Sequence, residues 1–193
     1  MKAAAIILTA GESRRMGRPK AFLPFRGGTF LSHIADTLGV RCAPVIAVFG
    51  FDADRLMAMA PANVQPVPNP DYELGMLASL QAGLRAVPGD CDIVLFTLVD
   101  HPAISPATVE ILLRSTAPVA IPRHNGKRGH PVLLRRPIVD EFLAEPVTAK
   151  TRDAIDRHGA EIEYIDVDDP GISDDIDDPQ LYRNLLSREA SHI

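Results

Sequence analysis

The chain of 193 residues has no apolar stretch near the ~20 residues that a membrane-spanning helix needs, so no membrane segment is expected. It has only two cysteines, Cys42 and Cys91, far apart and in no CxxC or metal-ligand spacing. That excludes a disulfide framework and leaves two small side chains of the kind that are buried free. Positive charge is not in surplus. Lysine and arginine total 20 against 25 acids, a net charge of −5, which argues against general nucleic-acid binding. No GK[ST] occurs, so there is no Walker loop, and no GxGxxG, so there is no dinucleotide fingerprint. Internal repeats, low-complexity tracts and a linker are absent too, and the 17 prolines are scattered at element ends. Lys2 precedes an apolar run too short for a signal peptide, so a cytoplasmic protein is expected. The length suits a single domain over 1–193.

The charge that is present is unevenly placed. Residues 1–20 hold Lys2, Arg14, Arg15, Arg18 and Lys20 against Glu12 alone. Residues 166–178 hold seven aspartates, among them Asp175, Asp177 and Asp178, and no base. A basic loop suits a polyanionic ligand. An acidic segment suits a divalent cation, or water.

Apolar runs at "AAAIIL", "PVIAVFG" (44–50) and "CDIVLFTLV" (91–99) read as buried strands, followed by strands near 119–122 and 161–167 and an extended "PVLL" (131–134). Between them, 31–38, 52–60, 74–87, 105–115, 136–144 and 148–158 have helical spacing, and a last helix follows Pro179. Ser105 before Pro106 is a helix-start signal. Strands alternating with helices predict an α/β protein, a three-layer, mostly parallel twisted sheet with helices on both faces. In such sheets ligands sit beyond the carboxyl ends of the strands, where the basic loop and Asp100 fall.

The loop "LTAGESRRMGRPK" (8–20) has the chemistry of an anion cradle. Gly11 and Gly17 let backbone approach a bound group, turn amides point at it, and Arg14, Arg15 and Lys20 add mobile charge. A solvated basic turn is the competing reading. Asp100 ends a strand where the core needs no carboxylate. A helix N-cap role competes, but Ser105 fills it better. An aspartyl-nucleophile phosphatase would want a second acid where Pro102 stands.

"LTAGESRRMGRPKAFLPFRGGTFL" resembles the signature of the nucleotidyltransferases that include the molybdenum-cofactor cytidylyltransferases and guanylyltransferases. Further segments match in the same order: "NPDYELGMLASLQAGL" (69–84), "LVDHP" (98–102), "GKRGHPVLL" (126–134) and "DIDDPQLY" (175–182). His101 and Asp178 depart from the family's pattern. The resemblance implies a Rossmann-like nucleotidyltransferase fold and a set of roles. The loop, with Leu8, Thr9, Ala10, Gly11, Arg14 and Gly17, wraps a nucleoside triphosphate. Arg15 and Lys20 neutralise its phosphates. Asp100 holds Mg²⁺, completed by Asp177 or Asp175. Gly75 and Ser79 flank base and ribose.

Asn69 is read as orienting a ribose or as a turn residue before Pro70. His130, with Gly129, is read as facing the acceptor, against the bland alternative of a satisfied polar side chain. Histidines 33, 101, 124, 158 and 192 show no ligand spacing, and Met16, Met57, Met59 and Met76 read as core. The expected reaction is transfer of CMP from CTP to the phosphate of molybdopterin, with pyrophosphate leaving. Ala10 favours CTP, because family members with glycine there resemble guanylyltransferases. Guanylyl transfer to the same acceptor, transfer to a sugar or isoprenoid-precursor phosphate, and a non-catalytic nucleotide-binding partner of a molybdoenzyme are the alternatives.

Overall fold

The computed structural model describes residues 1–190, so His192 lies outside the described residues. Strand β1 (Ala3–Leu8) alternates its side chains between two cores, Ala5 and Ile7 on one face of the sheet and Ala4, Ile6 and Leu8 on the other. After the basic loop come a small hairpin, β2 (Pro24–Phe25) with β3 (Gly28–Thr29), and helix α1 (Phe30–Gly39). A capping box fixes the start of α1. Ser32 N donates to Thr29 Oγ1 at 3.1 Å, and Thr29 N donates to Ser32 Oγ at 2.8 Å. Strand β4 (Val45–Phe49), short helix α2 (Ala53–Met57), strand β5 (Gln65–Pro68), helix α3 (Met76–Ala86) and strand β6 (Ile93–Leu98) follow.

Helix α4 (Pro106–Leu112) starts at the expected place, with Ser105 Oγ accepting from Ala107 N at 3.2 Å. Then come β7 (Val119–His124), β8 (Lys127–Arg128), β9 (Val132–Arg135), α5 (Arg136–Ala144), α6 (Thr151–Asp156), β10 (Ile162–Asp166) and α7 (Pro179–Ala190).

The main sheet runs β10-β7-β9-β6-β1-β4-β5, with β8 paired to β7. The pairs β1–β4, β1–β6, β4–β5 and β7–β10 are parallel. Strand β9 is the exception, lying antiparallel between β6 and β7. Its connection to β7, residues 125–131, is too short for the crossover a parallel neighbour needs, so the chain turns back through β8. Strand β5, "QPVP", carries two prolines and was not expected from its sequence. It survives because it pairs only with β4, at the edge.

Helices cover both faces. Phe30, Leu31 and Ile34 of α1, Val109 and Leu112 of α4, and Tyr182 and Leu185 of α7 fill one core. Leu77, Leu80 and Leu84 of α3 and Ile138, Val139 and Phe142 of α5 fill the other. Each fully buried side chain of this size contributes about 1.5–3 kcal/mol. Buried Gln81 ties two helices on that second face, Nε2 donating to the carbonyls of Phe142 and Glu145 at 2.8 Å each. Cys42 and Cys91 are free and buried. No helix among the described residues is long and apolar enough to cross a membrane.

Candidate active site

Strands β1, β4 and β6 end at one edge of the sheet, and a cavity of about 370 Å³ opens there. Its first wall is the loop after β1. Thr9 is pinned to β4, its N–H and its Oγ1 both donating to the Val48 carbonyl, at 3.0 and 2.8 Å. From Ala10 to Arg15 no backbone amide has an acceptor among the described residues. The loop is then closed at its base. Met16 N donates to the Ser13 carbonyl, Gly17 N to that of Arg14, and Lys20 N to Ser13 Oγ at 3.1 Å. Gly17 takes φ +67°, a left-handed turn that favours glycine. A side chain on Gly11 would meet nothing within 4 Å, so neither backbone conformation nor packing requires glycine there.

The opposite wall is acidic. The Ile176 amide donates to the Asp100 carbonyl at 2.9 Å, which ties the acidic segment to the end of β6. Ile176 itself is buried, so Asp175 and Asp177 flank it toward Asp100. One carboxylate oxygen from each of the three aspartates lies within 4.8 Å of the others. Lys20 Nζ donates to Asp100 Oδ2 at 3.0 Å and also to Asp177, and Arg15 donates to Asp177 as well. Asp100 Oδ1 is buried without a hydrogen-bond partner. A cluster of hard oxygens with one orphaned atom fits a divalent cation.

The charges tune one another. Burial works against the Lys20 ammonium, but Asp100 and Asp177 outweigh it and hold its pKa above the ordinary lysine value. Burial likewise opposes the Asp177 carboxylate, but Lys20 and Arg15 prevail and lower its pKa. Asp175 is pushed up to about 6, by burial first and then by Asp100 and Asp177.

The third wall runs from Tyr72 to Ser79. Gly75 precedes α3 at φ +121°, a conformation that only glycine adopts without strain, which is why the helix starts at Met76 and not at Leu74. Ser79 is buried one turn in and accepts from Asn69 Nδ2 at 3.0 Å, while Asn69 Oδ1 accepts from the Asp71 amide at 3.1 Å. Asn69 thus lies behind the wall, holding Ser79 and the turn after it.

Of the residues singled out in the sequence, Leu8, Thr9, Ala10, Gly11, Arg15 and Lys20 line the cavity, as do Gly75, Ser79, Asp100 and Asp177. Asp175 joins through the carboxylate cluster. Arg14, Gly17 and Asn69 do not line it. The exposed Arg14 side chain pairs with Glu12, its Nη2 donating to Oε1 at 2.9 Å. The other aspartates of 166–178 are largely structural. Asp169 accepts from Ser105 N and Thr108 Oγ1, and Asp166 pairs with Arg123. Asp178 accepts from the amides of Gln180 and Leu181 at the start of α7.

His130 and Gly129 sit elsewhere, in a second cavity of about 590 Å³. A side chain on Gly129 would come within 2.3 Å of the Ile172 carbonyl oxygen, so tight packing requires glycine there. The His130 ring lies 4.9 Å from that of His101 and 5.8 Å from that of Phe96. Burial first, then His101, pushes its pKa down to about 3, so the ring is neutral. His101 is also buried, and burial lowers its pKa despite the neighbouring Asp100.

Sequence reasoning missed Ser13, Tyr72, Met76, Leu98 and Val99, all in the first cavity's wall. Leu98 and Val99 look like core strand residues. Met76 was read as core but is 46% exposed and lines both cavities, and Met59 is 52% exposed. Both methionines follow helical apolar spacing, which does not report whether anything packs on that face.

Comparisons with known proteins agree with this geometry. A family model described as a MobA-like NTP transferase domain matches residues 5–162. The molybdenum cofactor cytidylyltransferase of Escherichia coli (strain K12) is 31% identical over 179 residues, covering 86% of this chain and 90% of that protein. The nicotine blue oxidoreductase of Paenarthrobacter nicotinovorans is 34% identical over 199 residues, covering 93% and 95%. A crystal structure of Rv0371c from Mycobacterium tuberculosis H37Rv superposes with a TM-score of 0.85 at 26% identity, covering 97% of this chain and 98% of that one. A manganese complex of Rv0371c has a TM-score of 0.78 at 23% identity, covering 97% and 99%.

Proposed function

The chain belongs to the MobA-like NTP transferase family, and from that premise we propose that it transfers CMP from CTP to the phosphate of molybdopterin. An oxygen of the acceptor phosphate forms a bond to the α-phosphorus. The bond from that phosphorus to the bridging oxygen breaks, and pyrophosphate leaves with the electron pair. Residues 1–193 act in this as one nucleotidyltransferase domain.

The observation that carries the reading is the carboxylate cluster of Asp100, Asp175 and Asp177 facing the amide-rich loop across one cavity. Two full-length relatives have different activities in their names, one a cytidylyltransferase and one an oxidoreductase. Hydride transfer has no use for a three-carboxylate cation site, whereas phosphoryl chemistry does. The orphaned Asp100 Oδ1 supports its use as a ligand, with Asp177 and Asp175 completing a Mg²⁺ site. Bound there, Mg²⁺ supplies positive charge to the α-phosphoryl group and to the departing pyrophosphate.

The chain's own residues do the rest. The unpaired amides from Ala10 to Arg15 cradle the phosphates, and the open face of Gly11 leaves room for them. Arg15 and Lys20 turn from Asp177 to the triphosphate and stabilise charge as it moves onto the leaving group. The amino end of α3, at Gly75, adds its positive dipole, and Ser79, oriented by Asn69, offers a hydroxyl to the nucleoside. Arg14 and Gly17 serve the loop's shape and its outer charge. Ala10 narrows the pocket toward a pyrimidine. Thr9 adds no free hydroxyl to base choice, because Val48 takes it. The test is pyrophosphate release from CTP, GTP, ATP and UTP with molybdopterin and Mg²⁺. Preference for GTP would replace the cytidylyl reading with the guanylyl one.

A further inference from the structure

We infer that Asp169 is a positioning residue for the carboxylate cluster, setting the segment that carries Asp175 and Asp177 against the loop that carries Asp100. This rests on the cation-binding part of the reading above and adds a residue outside the cavity to it. Asp100 and the pair Asp175 and Asp177 come from segments far apart in the chain, so something must fix the space between them. After β10 the chain runs as a strap across the ends of three strands. Val167 N donates to the Arg123 carbonyl at the end of β7 at 2.9 Å. The Ile172 carbonyl accepts from the His130 amide, just before β9, at 2.8 Å, and Ile176 N reaches the Asp100 carbonyl after β6.

Within that strap one buried side chain ties it to the other half of the cluster. Asp169 is 6% exposed. Its Oδ2 accepts from Ser105 N at 2.9 Å and from Thr108 Oγ1 at 2.6 Å, both at the start of α4. Its Oδ1 accepts from Gly171 N at 3.0 Å and so shapes the strap's own turn. No lysine or arginine pairs with it among the described residues, so these donors alone offset the cost of burying the carboxylate. The loop from Asp100 to Ser105 is thereby fastened at both ends, by Ile176 at one and by Asp169 at the other.

The fit between the two segments is close. A methyl group on Gly171 would lie 2.3 Å from the Ala103 carbonyl oxygen, so strap and loop touch backbone to backbone. Ile172 and Ile176 are buried on either side of the exposed acids, which leaves the strap little room to slide. The chemistry at position 169 is specific to a carboxylate. It accepts at both oxygens, whereas an asparagine would set its NH₂ against either the Ser105 or the Gly171 amide and lose that bond.

The experiment measures Mn²⁺ binding to the full chain by electron paramagnetic resonance, without and with CTP, and turnover as pyrophosphate release. Asp169→Asn is expected to raise the Mn²⁺ dissociation constant about tenfold. Thr108→Val, which keeps the carboxylate but removes one donor, raises it roughly threefold. The Mg²⁺ concentration for half-maximal turnover rises in the same order. Hydrogen exchange at the Ile176 amide, in the metal-free chain, is faster in both variants. Asp166→Asn, which changes an acid of the same segment paired on the surface with Arg123, leaves all three at wild-type values. Thr108→Val carries the test if Asp169→Asn does not fold. A purely structural role would lower the unfolding midpoint and leave the metal constants alone. Wild-type Mn²⁺ affinity in the folded variants therefore overturns the inference and leaves the transfer reading standing. Weaker Mn²⁺ binding with the Ile176 amide as protected as in wild type overturns it too, because the strap has not moved. An equal loss in Asp166→Asn does the same, since the segment's charge and not its seat would hold the ion. Mn²⁺ binding that weakens as expected, in a chain that releases no pyrophosphate from any nucleotide, upholds the role of Asp169 and overturns the transfer reading.

Discussion

Lys20 Nζ lies 3.0 Å from Asp100 Oδ2 and is bonded to Asp177 as well, so a side-chain ammonium sits among the carboxylates that suit a cation. On the proposed function, Lys20 is a resident counter-ion that metal and nucleotide displace together. The triphosphate draws Lys20 and Arg15 away from Asp177, and the carboxylates become free for the ion. Metal and nucleotide should therefore bind with positive coupling. Titration of Mn²⁺, read by its electron paramagnetic resonance signal, should give a tighter constant with CTP present than without. Lys20→Met should tighten Mn²⁺ binding to the nucleotide-free chain while weakening CTP. Looser Mn²⁺ binding in that variant would show that Lys20 supports the cluster and does not compete for it.

Asp100→Asn removes the ligand charge at the centre of the cluster but preserves shape. Lys20 keeps its bond to Asp177, and the Asp100 carbonyl still accepts from Ile176. The fold should therefore persist, with an unchanged circular dichroism spectrum. Turnover should fall by more than about a hundredfold, since a lost metal ligand costs more than a lost supporting contact. A variant within tenfold of wild type would remove Asp100 from the reaction.

Much of this site was legible because its chemistry clashes with its surroundings. A basic loop in an acidic chain, and an aspartate ending an apolar strand, stand out without any structure. The strand and helix order was legible for the same kind of reason, since apolar runs and caps such as Ser105 act locally. What was hidden depends on tertiary context. The direction of β9 follows from the short 125–131 connection, and β5 exists only because β4 offers an edge to its prolines. Asp178, a departure from the family pattern, has a local explanation. It accepts from the first amides of α7, a task that aspartate and threonine both perform. Met76 and Tyr72 could not be told from packing residues, because apolar spacing does not say which neighbours are missing.

Gly50 is a positioning residue of this hidden kind. A methyl group there would lie 2.4 Å from Tyr72 Cβ and 2.8 Å from the Ala10 carbonyl oxygen, and both residues wall the first cavity. Tyr72 is half-buried in a short turn and can shift, but the Ala10 backbone is held by its bond from Phe51 N. Gly50→Ala should cost about 1–3 kcal/mol in chemical denaturation. It should also weaken CTP binding about tenfold by calorimetry, because the loop is displaced. Wild-type values of both would show that the clash relaxes without reaching the cavity.

Cys42 should make the protein's stability fall with pH in the alkaline range. Burial first, then Cys91, pushes its thiol from the ordinary 9.0 up to about 12. Between these values the unfolded chain has lost the proton and the native chain still holds it. Unfolding thus releases a proton, and stability declines by up to about 1.4 kcal/mol per pH unit. Below pH 9 both states are protonated and the contribution is fully present. Denaturation of wild type and Cys42→Ala across pH 8 to 11 measures it, the difference between the two slopes belonging to Cys42. The native thiol should also resist alkylation at pH 8 until denaturant is added, because it is buried as well as protonated. Parallel pH profiles with rapid native alkylation would mean that Cys42 is reached by solvent through local opening.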